Sequence, residues 1–198
     1  AAMRWSGGLS TEPVANAHPA RVINMSLGST GSCPASYRDV IGELVAAGVT
    51  VVVAGGNDTG LAVNTPANCA GAIAVAGVRH LGSKVGYSNI GPEMAIAAPA
   101  GNCVNLTGAC LYPLMTTINS GNTTPGENIY SDSFNYSVGT SFATPLVAAT
   151  AGLMLSVDPT LQPAQVKSVL QTTARSFPTS GADADVVACR APGAVEQI

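Results

Sequence analysis

Charge is what this sequence has least of. Only 10% of its 198 residues are charged, and the eight lysines and arginines are scattered. No basic stripe forms, so the footprint of a nucleic-acid binder is missing. Long hydrophobic runs are also lacking. The longest, LVAAGVTVVVAGG at residues 44–56, is shorter than the roughly 20 apolar residues of a membrane span and is broken at Gly48. The opening AAMRWSGGLS has no basic stretch followed by an apolar one, so a signal peptide is not expected within it. The chain is expected to be a processed product or an internal piece of something longer. Neither GxGxxG nor GxxxxGK[ST] occurs, which argues against the nucleotide-binding domain that VVVAGGNDTG would otherwise suggest. The absence of GxSxG argues against an α/β-hydrolase esterase. CxxC is absent as well, and the two histidines lie far from the cysteines, so no zinc site is expected.

What is present suits one domain with an ample core. Hydrophobic residues make up 46% of the chain, which excludes a disordered one, and the net charge is −3. Five cysteines in a background of Gly, Ser, Thr and Asn indicate an oxidising compartment. Many pairings are open to them. The arrangement expected is Cys103 with Cys110 around a polar loop and Cys33 with Cys69 across the core. Cys189 would then be left for a partner outside the chain.

From Arg21 onward the pattern reads βαβ. RVINMS is a strand, SYRDVIGELVAAG a helix with Ser36 and Asp39 as a capping box, and VTVVVAGG a continuous apolar strand. Unalternated apolar strands belong to parallel sheets covered on both faces. GAIAVAGV is a second such strand, EMAIAAPA a shorter one, and YPLMTTIN an edge strand. Residues 101–137 read as a long polar region with a hairpin-like look. GTSFATP then opens a helix whose run after Pro145 is rich in small residues, and LQPAQVKSVLQTTA is a last helix with Pro163 in its first turn. No repeat or domain boundary is visible. The fold class expected is α/β, a mostly parallel central sheet with helices on both faces.

Three stretches carry the chemistry. NMSLG and VVVAGGN end strands, where ligand sites of open α/β sheets gather, and GTSFATP begins a helix. Ser141 there has two readings. As a structural residue, it or Thr140 caps the helix. As a chemical one, its hydroxyl sits beside the N–H groups and positive dipole end of a helix N-terminus, where an oxyanion is stabilised. Asn57, taken alone, is good turn chemistry in NDTG.

Together, and in this order, Ser26-Leu27-Gly28, Ala54-Gly55-Gly56-Asn57, SNIGPEMAIAAPA, Gly139 to Pro145 and PAQVKSVL resemble the C-terminal part of the catalytic domain of subtilisin-like serine proteases, over residues 5–174. The resemblance implies a three-layer subtilisin-like fold, with residues 1–198 as the C-terminal portion of one peptidase domain. It implies secretion, and peptide-bond hydrolysis through an acyl-enzyme on Ser141. Ser141 N–H and the Asn57 amide would hold the oxyanion, with Thr140 in support. Ser26, Leu27 and Gly28 would bind the substrate as an added strand, and Ala54, Gly55 and Gly56 would wall the pocket for the residue before the cut.

Some of the family's pattern is not matched here. Its Asp and His precede the Ser26 strand, and neither His18 and His80 nor Asp39, Asp58 and Asp132 has the matching context. AAMRWSGGL resembles the segment just after the histidine-bearing helix, so the partner expected is an N-terminal part of the same protease. The alternative is an inert subtilase-like peptide-binding module. Gly55 replaces a more usual Ala and is expected to loosen the pocket wall. No cofactor is required for the chemistry. Structural calcium is implied only weakly, at the Ala67, Cys69 and Ala72 carbonyls with Glu93, because Ala95 stands where a second carboxylate is common.

Overall fold

The computed structural model describes residues 1–11, 14–102, 112–131 and 138–178. Four strands, β1 (Val22–Met25), β2 (Thr50–Ala54), β3 (Ile73–Val78) and β4 (Met94–Pro99), form one parallel sheet in the order β1-β2-β3-β4. β2 is buried at every position, because TVVVA has apolar neighbours above and below it. The register pairs Asn24 with Val52 and Ala54 with Val75, which brings the ends of β1 and β2 side by side. β4 is as long as β3, not shorter as its composition suggests.

Helices cover both faces. On one, α2 (Ala35–Ala46) buries Val40, Ile41 and Leu44 against Met25, Val51, Val53 and Ala74. A short helix α1 (Ala2–Ser6) joins this face through an Arg4–Glu43 pair. The Ser36/Asp39 capping box is not formed. α2 starts two residues earlier than that box requires, with Pro34 at its N-cap and no side-chain cap bond. Cys33 and Cys69 form the expected disulfide and tie the start of α2 to the β2–β3 connection. Cys103, Cys110 and Cys189 lie outside the described residues.

On the other face lie α3 (Thr140–Val157) and α4 (Pro163–Thr173), packed over Val52, Ile73, Val75 and Ala98. Ala143, Val147, Ala148 and Ala151 make the contact side of α3, and their small size brings the helix close to the sheet. By length and hydropathy α3 would suit a membrane span, against the expectation that no run is long enough, yet it lies across the sheet. β5 (Thr116–Asn119) is not an edge strand of that sheet. It pairs antiparallel with β6 (Asn128–Ser131) in a separate hairpin.

Candidate active site

The site forms where β1, β2 and α3 converge. α3 opens at Thr140, so Pro145 lies inside the helix rather than ahead of it. Its N-cap is Gly139, at φ 145° and ψ 157°, a conformation open to glycine and rare for any L side chain. No side chain caps this end, so the helix-cap reading of Thr140 and Ser141 does not hold.

Thr140 turns inward instead and is fully buried. Its N–H and its hydroxyl both donate to Asn57 Oδ1, at 2.9 and 3.0 Å, and the same hydroxyl accepts from Gly56 N–H at 3.3 Å. Because a backbone N–H must donate, the atom it meets on Asn57 is the oxygen, and Nδ2 faces away from Thr140. A β-carbon placed on Gly139 would lie 3.4 Å from Asn57 Nδ2 and 3.7 Å from Ser141 N. Asn57 Nδ2 and Ser141 N thus lie close to the same point beside the helix start, a point that the bare Gly139 does not fill. Ser141 N–H is among the donors that the first turn of a helix leaves without an intrahelical partner.

Pro145 contributes by what it lacks. It has no N–H, so the carbonyl four residues back, that of Ser141, is left without its helical bond. Ser26 Oγ donates to that carbonyl at 2.8 Å, while Ser141 Oγ donates to Ser26 O at 3.2 Å. The two serines pin β1 to α3, and Asn24 Nδ2 extends the chain of bonds to Ser26 Oγ at 3.0 Å. No histidine or carboxylate accepts the Ser141 hydroxyl among the described residues. His18 is on an exposed loop, and His80 stacks on Tyr112 with ring centroids 3.8 Å apart. Asp39 meets Arg38, Asp58 lies in an asparagine cluster behind Asn57, and Asp132 is outside the described residues.

Ser26 to Gly28 follow β1, and Ala54 to Gly56 lie at the end of β2, next to the last paired residues Met25 and Val53. A β-carbon on Gly28 would stand 3.0 Å from Thr65 O and 3.8 Å from Ala54 O. Leu27 and Gly28 are exposed, whereas Ala54, Gly55 and Gly56 are buried. The expectation that Gly55 loosens its wall is not met. The space a β-carbon would take there is filled by the Met94 thioether, with Sδ at 2.8 Å and Val75 O at 3.0 Å.

The proposed cation ligands do not make a strong set. Cys69 O already accepts Ala72 N–H, Glu93 is exposed, and no group of three His, Cys, Asp or Glu converges among the described residues. Calcium sites usually draw on several carboxylates, so these residues fit such an ion poorly.

Two contributors are given no role by the sequence. Tyr87 donates to Ala100 O and Gly101 O at 2.7 and 2.8 Å, and Ala100 O also accepts Gly139 N–H. Burial pushes the Tyr87 hydroxyl well above its ordinary range, so it stays a neutral donor. Asn89 is the other, with four bonds around residues 56–62. The signal in the sequence is their place in GYSNIG: Asn89 lies inside the matched SNIGPEMAIAAPA, and Tyr87 just ahead of it.

Residues 2–188 match the family model described as the subtilase family, peptidase S8. An extracellular protease of Xanthomonas campestris pv. campestris is 44% identical over 180 residues, covering 89% of this chain and 28% of that protein. Subtilisin NAT of Bacillus subtilis subsp. natto is 34% identical over 158 residues, covering 77% of the chain and 35% of that protein. A solved structure of proteases from Pseudoalteromonas arctica superposes with a TM-score of 0.79 at 38% identity, covering 88% of this chain and 50% of that one. The chain therefore spans about a third or less of these curated relatives and half of the solved neighbour.

Proposed function

This chain belongs to the subtilase family of serine endopeptidases, and from that membership we propose that it supplies the nucleophile and the oxyanion donors of a secreted protease. The observation that supports the reading is that Asn57 Nδ2 and Ser141 N both lie within 3.7 Å of the β-carbon position that Gly139 leaves unfilled. Ser141 Oγ attacks the scissile carbonyl of a polypeptide, and the negative oxygen that forms is held by those two N–H groups. Preorganisation favours this charge. Thr140 fixes the Asn57 amide from its oxygen end, so no donor has to turn when the oxyanion appears. The substrate lies extended between the 26–28 and 54–56 walls, pairing its backbone with Ser26 to Gly28 as an added strand. The residue before the cut enters beside Ala54, Gly55 and Gly56.

The Asp and His of the triad come from an N-terminal part of the same protease. Two features support that partner. β1 pairs only with β2, which leaves its other edge open among the described residues. α3 carries no charged residue, and Leu146, Leu153 and Val157 on its outer side are exposed. Residues 1–198 then form the C-terminal portion of one peptidase domain. Secretion fits the Cys33–Cys69 disulfide and the extracellular naming of the relatives. Hydrolysis by this route needs no cofactor, and calcium would serve structure alone.

Ser141 Oγ resting on Ser26 O favours a second reading, a peptide-binding module without a base. Denaturing intact-mass spectrometry after treatment with a serine-directed fluorophosphonate separates the two. A phosphonyl adduct on Ser141, with a second polypeptide in the same spectrum, is the expected result. An unmodified chain with no companion overturns the protease reading in favour of the binding module.

A further inference from the structure

Asn57 is held at its amide by Thr140, but a side chain is only as well aimed as the backbone that bears it. We propose that buried Asn89 is the positioning residue for the backbone of Asn57, an inference that rests on the oxyanion reading above. The two peptide groups that flank Asn57 are both bonded to this one residue. Asn89 N–H donates to Gly56 O at 3.1 Å, which holds the peptide before Asn57. Asp58 N–H donates to Asn89 Oδ1 at 2.7 Å, which holds the peptide after it. Rotation about φ or ψ of Asn57 turns one of those peptide planes against the other, so fixing both to a common anchor fixes both angles.

The anchor is itself fully committed. Asn89 is 0% exposed, and its Nδ2 donates to Asp58 Oδ2 at 2.9 Å and to Ala62 O at 3.0 Å. Asp58 Oδ2 also accepts from Asn64 Nδ2 at 2.8 Å, so its carboxylate joins two buried amides. The chemistry selects asparagine. One short side chain must offer an acceptor to Asp58 N–H and two donors to oxygens, which neither Asp nor Ser provides. Aspartate would also set a second carboxylate against Asp58.

Backbone strain on both sides of Asn57 shows why an anchor is needed. Gly56 has φ 115°, and Thr59 has φ 59°, a rare conformation for a β-branched residue. Such conformations persist only where surrounding bonds over-determine them. A β-carbon on Gly56 would come within 2.6 Å of Asn64 Nδ2, so this cluster leaves Gly56 no room for a side chain.

The test is a double-mutant cycle in the mature protease, this chain together with its Asp- and His-bearing part. Asn89→Ala is expected to lower kcat by about tenfold or more with KM within about twofold, since a misaimed donor is lost in the transition state and not in binding. In an Asn57→Ala background the same change is expected to alter kcat less than about twofold, because there is no longer a donor to aim. Equal losses in both backgrounds would overturn the proposal and leave Asn89 a purely structural residue. If Asn89→Ala does not fold, Asp58→Ala, which removes the carboxylate end of the clamp, takes its place in the same cycle. Asp58→Asn, which keeps an oxygen for the two amides, should then rescue kcat. The order of the Asn57 side-chain amide, from 15N relaxation, gives a readout independent of turnover. A drop in the Asn89→Ala protein supports the clamp, and an unchanged amide overturns it. Absence of turnover in the unsubstituted protease would count against the oxyanion reading, and the 15N readout would still decide the role of Asn89.

Discussion

The two faces of the sheet are finished to different degrees. On the α2 face, Ile41 and Leu44 meet Val51, Val53 and Ala74 with no exposure, and the Cys33–Cys69 bridge closes the layer. On the α3 face the contact is made by small residues, and the helix turns Leu146, Leu153 and Val157 outward beside Thr150 and Ser156. Apolar side chains of a helix usually face an interior, yet among the described residues α3 is covered on one side only. All the candidate catalytic chemistry gathers at the N-terminus of that half-covered helix. A finished layer provides a rigid floor, and the unfinished one is where the proposed N-terminal part would pack.

If the α2 face is complete, breaking it carries the largest cost in stability. Leu44→Ala removes a fully buried side chain from a closed layer and is expected to cost about 2–5 kcal/mol in urea unfolding. A cost near that of a surface substitution would show that the layer is not closed. Replacing Cys33 and Cys69 together by Ser should cost about 2–4 kcal/mol, with the loss appearing in the wild type on reduction as well.

At the border between the faces the effect is smaller and depends on a pair. Gly55→Ala puts a methyl where the Met94 thioether already lies and should cost about 1–3 kcal/mol by overpacking. Met94→Val in the same chain should return part of that loss. If the double variant is no better than Gly55→Ala alone, the crowding comes from Val75 O, which cannot move aside, and not from Met94.

The same contrast governs how much of the molecule is readable in advance. Strands such as TVVVA and IAVAGV are legible because a parallel strand covered on both faces is a continuous apolar run. Ser26, Asn57 and Ser141 are legible as motifs, and the fold brings them together. The spacing of Ser36 and Asp39 misleads, because S-x-x-D fits a capping box wherever it falls and only the chain path says where the helix begins. Pro145 is legible as a helix signal but not in its role, which is to free the carbonyl that Ser26 binds. Asn89 and Tyr87 act across 31 and 13 residues of sequence, and although Asn89 lies in a matched motif, nothing local marks partners that far away.

The smallest expected effect tests the open face itself. Leu153→Asp and Val157→Asp place charges on side chains that are 69% and 86% exposed, so in this chain alone they should change stability by no more than about 0.5 kcal/mol. The same charges would be buried if the Asp- and His-bearing part packs over α3, and burying an unpaired carboxylate is costly. The double variant should therefore unfold like the unsubstituted chain in urea, yet fail to recover fluorophosphonate labelling of Ser141 when that part is added. Labelling recovered at the unsubstituted rate would mean that the partner docks elsewhere, with the open edge of β1 the next surface to charge. A large loss of stability in the chain alone would mean instead that the outer side of α3 is already covered, and the two faces would then be alike.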